Sequence, residues 1–362
     1  KKLLFLIVLI IESISLKAQT DICGTKAGDK PIIFSKEQQQ KINTILAINQ
    51  PFTIKLAVTV FADDNGTNRA ATDADIKRQI QNMVNQYQVH NICFVLMSIS
   101  QVNNTDLNNH NTTDNESTDE SSEVIPFLVN GHLNIFIHKT LPGLNGLAYN
   151  IPNTYLSLKS GAVADVTNIT TMAHEMGHCF GLYHTFETWE NTKKENVARS
   201  GSCKNCSSDG DVLCDTPADD DGGVDAMCNY IGAGKDDCNT NFVPMTSNIM
   251  GYGNRGCRTT FTADQGLRMR SFLINHSPLY QLLVNDIFYI PNSPNLAFYY
   301  PYGNDQYVGR DLLIINNFAN SIYDVSGNSK QLLISKKVIL KPGTRLHPST
   351  GKVHITTNPY CN

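Results

Sequence analysis

Charge and long apolar runs are both scarce in this chain. Only 17% of its 362 residues are charged and the formal net charge is -4. It therefore lacks the basic excess expected of a nucleic-acid partner or of a polybasic membrane patch. Past Ile11 no segment approaches the ~20 consecutive apolar residues of a membrane-spanning helix, so no membrane span is expected. A C-x-x-C pair occurs once, at Cys203 and Cys206, with no second pair to complete a zinc knuckle. Beyond residue 280 there is no metal, nucleophile or phosphate motif. What the chain does have is 41% hydrophobic residues, enough for a sizeable core in one large domain or two.

Its ten cysteines are unevenly spread. Cys203, Cys206, Cys214, Cys228, Cys238 and Cys257 fall in one loop-rich region of about 55 residues. Such a cluster means either disulfides or a second metal site, and the compartment decides between them. The N-terminus points to export. Lys1-Lys2 precedes an apolar run over 3–11, then a polar stretch closing on Ala18-Gln19, the pattern of a signal peptide over residues 1–19. A secreted protein is expected, and with it disulfides. Cys179, set near an apolar stripe, reads as a buried thiol.

The sharpest pattern is His174-Glu175-Met176-Gly177-His178-Cys179-Phe180-Gly181-Leu182-Tyr183-His184, an H-E-x-x-H that extends to H-E-x-x-H-x-x-G-x-x-H. On a helix, His174 and His178 lie one turn apart on the same face. Two imidazoles so placed can bind one Zn²⁺, with Glu175 beside it as general base. Gly181 can take the positive φ that turns the chain and aims His184 at the same ion. Three neutral ligands leave a fourth position for water, the arrangement of a catalytic site. Ile169, Met172, Ala173, Met176 and Phe180 form an apolar stripe roughly opposite the histidines. One face is expected to meet a core and the other a cleft.

Around this helix the periodicities alternate. Residues 52–61 alternate as a strand, Thr72 and Asp75 form a capping box, and Ile76, Ile80, Met83, Val84 and Tyr87 keep a helical period. Further strands are expected at 92–97, 133–138, 146–150 and 155–158. The second-last reads as an edge strand over the cleft, to which an extended peptide can add. Residues 101–123, almost wholly Asn, Thr, Asp, Ser and Glu, are expected to be an exposed loop. Thr262 and Gln265 cap a helix to about Leu273. After Pro291, Pro294 and Pro301, short β-like runs separated by Gly and Pro turns predict a small all-β appendage.

The extended motif resembles the metzincin zinc endopeptidases, and H-E-M-G-H-C-F-G-L-Y-H-T-F resembles their pappalysin family. Ser247-Asn248-Ile249-Met250-Gly251-Tyr252 is similar to the Met-turn of that clan. The resemblance runs from about Cys23 to Leu279. It implies an α+β fold: a metzincin-type catalytic domain with a mixed twisted sheet, an active-site helix and an irregular C-terminal subdomain, followed here by the small all-β part. The implied division is signal peptide 1–19, short propeptide 20–50, catalytic domain 51–279, and linker with β-rich domain 280–362. Met250 would floor the zinc site, and Tyr252 would assist the tetrahedral intermediate. Cys23-Gly24-Thr25 resembles a propeptide element whose thiolate takes the open zinc position; the other reading of Cys23 is a disulfide half, with Cys93 or Cys361. Asp211, the Cys214 carbonyl and Thr216 match the ligand positions of a structural Ca²⁺. The family pattern pairs Cys228 with Cys257 and one of Cys203 or Cys206 with Cys238, leaving the other for Cys214. Family members that prefer basic residues carry an acid just before the cysteine after the Met-turn. Here Gly256 precedes Cys257, a departure from that pattern.

The expected activity is hydrolysis of protein or peptide substrates by metal-activated water, with Glu175 as base. Two other readings stand beside it. One is a non-catalytic, zinc-stabilised adhesin or binding module, for which Glu175 would be superfluous. The other is a hydrolase of non-peptide amides, for which the edge strand would be. Oligomeric state leaves no trace in the sequence.

Overall fold

A computed structural model describes residues 23–46, 51–110, 119–189, 194–290, 298–299, 304–316 and 322–360. The expected signal peptide and residues 20–22 lie outside the described residues. Five strands build the main sheet: β1 (Phe52–Ala62), β2 (Ile92–Asn103), β3 (Leu133–His138), β4 (Gly146–Ala148) and β5 (Tyr155–Lys159). Their order is β2-β1-β3-β5-β4. All pairings are parallel except β4 with β5, so β4 is an antiparallel edge. β1 and β3 are buried on both faces for most of their length, consistent with their near-continuous apolar sequence.

Parallel neighbours need a crossover. After α1 (Lys36–Leu46), α2 (Asp73–Tyr87) carries the chain from β1 to β2. Thr72 Oγ1 caps it by accepting the Asp75 amide at 3.1 Å. Ile76, Ile80, Met83, Val84 and Tyr87 are buried on its inner face, each contributing on the order of 2 kcal/mol by area. Beneath the same face runs the active-site helix, whose Ala173 carbonyl accepts the Tyr87 hydroxyl at 2.8 Å.

The exposed loop expected at 101–123 is corrected at its start. β2 continues to Asn103, and α3 (Thr105–Asn108) follows, with Leu107, Asn108 and His110 buried. Asn104 caps that turn by accepting the Leu107 amide, and Asn108 Nδ2 donates to Asp63. Asparagine side chains here replace the apolar packing that composition alone would demand. Residues 111–118 lie outside the described residues, and α4 (Asp119–Val124) leads to β3.

After β5 come α5 (Ser160–Ala164) and α6 (Thr171–Cys179), then a long irregular stretch up to α7 (Ala263–Asn275) and α8 (Ser277–Tyr280). Disulfides Cys203–Cys238, Cys206–Cys214 and Cys228–Cys257 staple this stretch, across separations of 35, 8 and 29 residues. Cys93 is also disulfide-bonded, with its partner outside the described residues. Cys179 is a buried free thiol and Cys23 a half-buried one. Thr262 and Gln265 form the capping box of α7.

The remaining strands are β6 (Ile287–Ile290), β7 (Phe298–Tyr299), β8 (Asn304–Val308), β9 (Leu312–Ile315), β10 (Ile322–Val325), β11 (Lys330–Ile334), β12 (Lys337–Leu340), β13 (Thr344–Leu346) and β14 (Lys352–Thr356). They form three parallel sheets, β12-β9-β6, β13-β10-β7 and β14-β11-β8. Every third strand therefore stacks on the one before, giving a three-turn parallel coil. Ile287, Leu312 and Lys337 align in register, one on each successive turn. Leu313, Ile315, Tyr323, Val325 and Leu333 fill its interior. Ile334 leaves that interior to join Val95, Met97 and Val284 in a cluster on β2.

Candidate metal centre

The site grows from α6. Its first turn is held by Asn168, whose Oδ1 accepts from the Thr171 amide at 3.2 Å and the Thr171 hydroxyl at 3.0 Å. Met172, Ala173, Met176 and Phe180 of the expected stripe join the core, whereas Ile169 is half-buried outside it, and every residue of α6 is buried. The cleft face is closed because residues 23–25 lie over it. At Gly181 φ is +89° and a Cβ would collide with the Phe272 ring, so only glycine permits the turn that returns His184.

That turn brings three imidazoles together. His178 Nε2 lies 3.2 Å from both His174 Nε2 and His184 Nε2. A tetrahedral ion with bonds of ~2.05 Å sets its ligands about 3.3 Å apart. The other nitrogens are engaged from behind: His174 Nδ1 donates to the Ile249 carbonyl at 2.7 Å, and His178 Nδ1 to the Leu182 carbonyl at 2.8 Å. Such partners fix the tautomer that leaves Nε2 free for a metal. His184 Nδ1 lies 3.5 Å from Glu187, a partner that sequence reasoning missed. Burial pushes the pKa values of His174 and His178 well down, holding the rings in the neutral form a metal requires. The donor set fits zinc.

Cys23 completes the cluster. Its Sγ and the three Nε2 atoms all lie within 4.8 Å of one another, and Sγ is 3.3 Å from Glu175 Oε2. Glu175 is 1% exposed, and burial raises its pKa to about 7. Thr25 donates its hydroxyl to Glu175 at 3.0 Å and accepts the Ala148 amide at 2.8 Å. Gly24 N donates to the Gly146 carbonyl at 3.0 Å, and Cys23 bridges Gly146 in parallel. The Cys23-Gly24 segment thus occupies the backbone of edge strand β4. Cys23 is a free thiol, not the disulfide half of the other reading.

Met250 is buried in the core against α6. A Cβ on Gly177 would stand 2.7 Å from its Sδ, so the glycine lets the turn approach the helix. Tyr252 donates its hydroxyl to the Cys23 carbonyl at 3.3 Å and sets its ring edge-on to His184 at 4.9 Å. Burial raises its pKa. Behind the turn, buried Arg258 donates to the Gly251 carbonyl at 3.1 Å.

Residues 140–274 match the family model described as pregnancy-associated plasma protein-A, and 41–185 match that of the reprolysin-like metallo-peptidases. The chain is a pappalysin-like metzincin. It is similar to an extracellular metalloprotease of Arthroderma gypseum, 25% identical over 65% of this chain and 78% of that one. It is also similar to one of Neurospora crassa, 26% identical over 69% and 87%. Among solved structures it is similar to a Tannerella forsythia promirolysin mutant, with a TM-score of 0.47 and 18% identity over 68% of this chain and 90% of that one. Mirolysin in complex with compound 9 is similar too, with a TM-score of 0.48 and 20% identity over 64% and 96%. The pappalysin-like chain is a metalloendopeptidase, and the metal of its family is zinc.

A second polar cluster lies apart from the histidines of this metzincin. Asp211 and Glu195 are each 1% exposed. Among the described residues, Asp211 Oδ2 and Glu195 Oε2 have no hydrogen-bond partner. Burial pushes Asp211 up to about 7; burial, and then the charge of Asp211, push Glu195 up to about 9. Arg199 reaches Glu195 Oε1 at 2.8 Å. Thr216 is buried close by, and Cys214 is tied to Cys206. Two buried carboxylates with orphaned oxygens fit a hard cation. Glu195 was missed because a polar run gives no hint of burial, which here is purely tertiary.

Proposed function

We propose that this chain is the secreted, latent precursor of a zinc endopeptidase in which His174, His178 and His184 hold the metal, Glu175 is the general base and Cys23 blocks the open position. The convergence of Cys23 Sγ with three Nε2 atoms beside Glu175 carries this reading. Bound there, zinc supplies a Lewis acid and a water of lowered pKa. Glu175 takes the proton of the attacking water and passes it to the leaving amine. Tyr252 donates to the oxyanion that develops at the scissile carbonyl. Met250 supports the histidines from below. Once residues before about 51 are removed, the β4 backbone at Gly146 and Ala148 is free to take an extended peptide as a further strand.

Secretion draws on the signal-like residues 1–19, the three disulfides and the extracellular relatives. The functional division we propose is signal peptide 1–19, propeptide 20–50, catalytic domain 51–279 and C-terminal domain 280–362. Asp211, Thr216 and the Cys214 carbonyl, joined by Glu195, would hold a structural Ca²⁺. The substrate is a protein or peptide.

After propeptide removal, the purified protein should degrade casein, lose that activity with a chelator and regain it with zinc. Glu175→Ala should lower it by at least about 10²-fold. Activity persisting in Glu175→Ala would sink the mechanism. Casein left intact by the processed wild type would favour the non-catalytic module.

A further inference from the structure

The C-terminal end of the chain carries a charge imbalance that catalysis does not use. No Asp or Glu follows Asp324, whereas Lys330, Lys336, Lys337, Lys341, Arg345 and Lys352 do, together with His347 and His354. The whole chain nonetheless has a net charge of -4, so the part before Val325 is distinctly acidic.

The coil gathers much of this charge at one corner. In-register pairing sets Lys352 of β14 beside Lys330 of β11, on strands about 4.8 Å apart. Arg345 of β13 pairs in register with Asp324 of β10. Asp324 offsets part of this charge, 2.9 Å from His347 and 3.8 Å from Arg345, and Asp305 of β8, bonded to Gln331, lies on the strand beyond Lys330. The amides of Ser349, Thr350 and Gly351 all donate to the Gly327 carbonyl, which folds the end of β13 against the start of β14. His354 follows Lys352 on the same face of its strand, and both are exposed. Among the described residues neither Lys330 nor Lys352 takes part in an ion pair. Like charges set side by side on neighbouring strands repel, and a line of anions with similar spacing would relieve them.

We propose that this basic corner docks the protein onto an acidic polysaccharide. A linear polyanion can meet the two cations, Lys330 and Lys352, that successive turns of the coil set side by side, with exposed His354 beside them. No Phe, Tyr or Trp lies between Tyr323 and Tyr360, so the corner offers none of the aromatic platforms on which nucleic-acid bases stack. It belongs to the module packed on β2 through Ile334, Val95 and Met97, the edge of the sheet opposite β4. A bound polysaccharide would leave the cleft clear and hold the protease on its matrix.

The test uses the full chain and heparin as the probe, with neutral dextran as control. The wild type should bind heparin in a salt-dependent manner and ignore dextran. K330Q/K352Q should bind about tenfold more weakly, with a salt slope reduced by roughly two charges. K77Q/K204Q, which removes two exposed lysines elsewhere, should bind as the wild type does. Casein hydrolysis and the unfolding midpoint of K330Q/K352Q should be unchanged, or the midpoint raised by relief of repulsion. Equal weakening in both double variants, no heparin binding, or a lowered midpoint would overturn the proposal. So would tighter binding to oligo(dT) or to phosphatidylglycerol vesicles than to heparin.

Discussion

The two edges of the main sheet are covered by opposite means. At β4 the cover is Cys23-Gly24-Thr25: one backbone bond to Gly146, hydroxyl bonds through Thr25, and a thiol aimed at three imidazoles. At β2 the cover is apolar and covalent. Val95 and Met97 pack against Val284 and Ile334, Asn358 donates to the Phe94 carbonyl at 2.8 Å, and Cys93 is in a disulfide. Polar contacts exchange readily for water or a substrate backbone, whereas buried apolar area and a disulfide do not. The edge that opens in the proposed activation is closed by groups a substrate can replace. The other edge is closed mainly by buried apolar area and a disulfide, with one side-chain bond from Asn358.

Cutting the weaker cover should have the largest effect. Cys23→Ala removes the thiol, leaving the Gly24–Gly146 backbone bond, the Thr25 bonds and the Tyr252 bond to the backbone carbonyl at position 23 to hold the segment. The uncleaved precursor should then hydrolyse a quenched fluorogenic peptide roughly 10²-fold faster than the wild-type precursor, because an intramolecular blocker acts at high effective concentration. A precursor as silent as the wild type, with zinc bound, would place the block elsewhere. The Ile32 carbonyl accepts from Arg268, and Phe34 packs on Phe272 of α7, so these contacts are where it would be sought next.

A cover that leaves requires a frame that stays, and the Glu195–Asp211 pair lies in that frame, with Arg268 nearby. In chelator, both carboxyls are raised above their ordinary values, to about 9 and about 7. The folded state then holds protons that the unfolded state releases. The pair's own contribution to stability is therefore fullest below about pH 4 and is lost as pH climbs toward 9. Buried His138, His174 and His178, whose pKa values burial lowers, act in the opposite sense below about pH 6.5. Calcium, which favours the ionised pair, should remove that slope, and Glu195→Gln should flatten it without calcium. Chemical denaturation of the wild type against Glu195→Gln across this pH range isolates the pair; a wild-type advantage that grows with pH in chelator is the opposite outcome.

The active edge was far more legible in the sequence than the shut one. H-E-x-x-H-x-x-G-x-x-H holds its ligands within one short stretch, so local helical geometry and one glycine nearly determine the site. Ser247–Tyr252 stood out through the same resemblance, although its contact with Gly177 is long-range. The C-terminal strands were legible as short β-like runs between Gly and Pro turns, but their pairing was not. A parallel coil repeats once per turn, yet Ile287, Leu312 and Lys337 share a position without sharing a side-chain type. Asn104 and Asn108 ordered a segment that composition marked as loop, because side-chain bonds to backbone and to Asp63 are invisible to hydropathy. Nothing local marked Glu195 as buried.

The shut edge supplies the smaller effects. Cys93→Ser should lower stability by about 2–4 kcal/mol, the usual range for a native disulfide, while leaving kcat on the fluorogenic peptide unchanged after propeptide removal. A matching fall in kcat would mean that the two edges are coupled through β1 and β3 and do not act separately. Asn358→Ala removes one side-chain bond to the edge of β2 and should cost about 1 kcal/mol. Because Asn358 Nδ2 meets the carbonyl of Phe94, next to Cys93, the two changes share one stretch of strand. Their combined cost should fall short of the sum, since loosening the edge at Cys93 already weakens the neighbouring bond to Phe94. Strict additivity in a double-mutant cycle would show that Asn358 is held by the coil itself, independently of the disulfide.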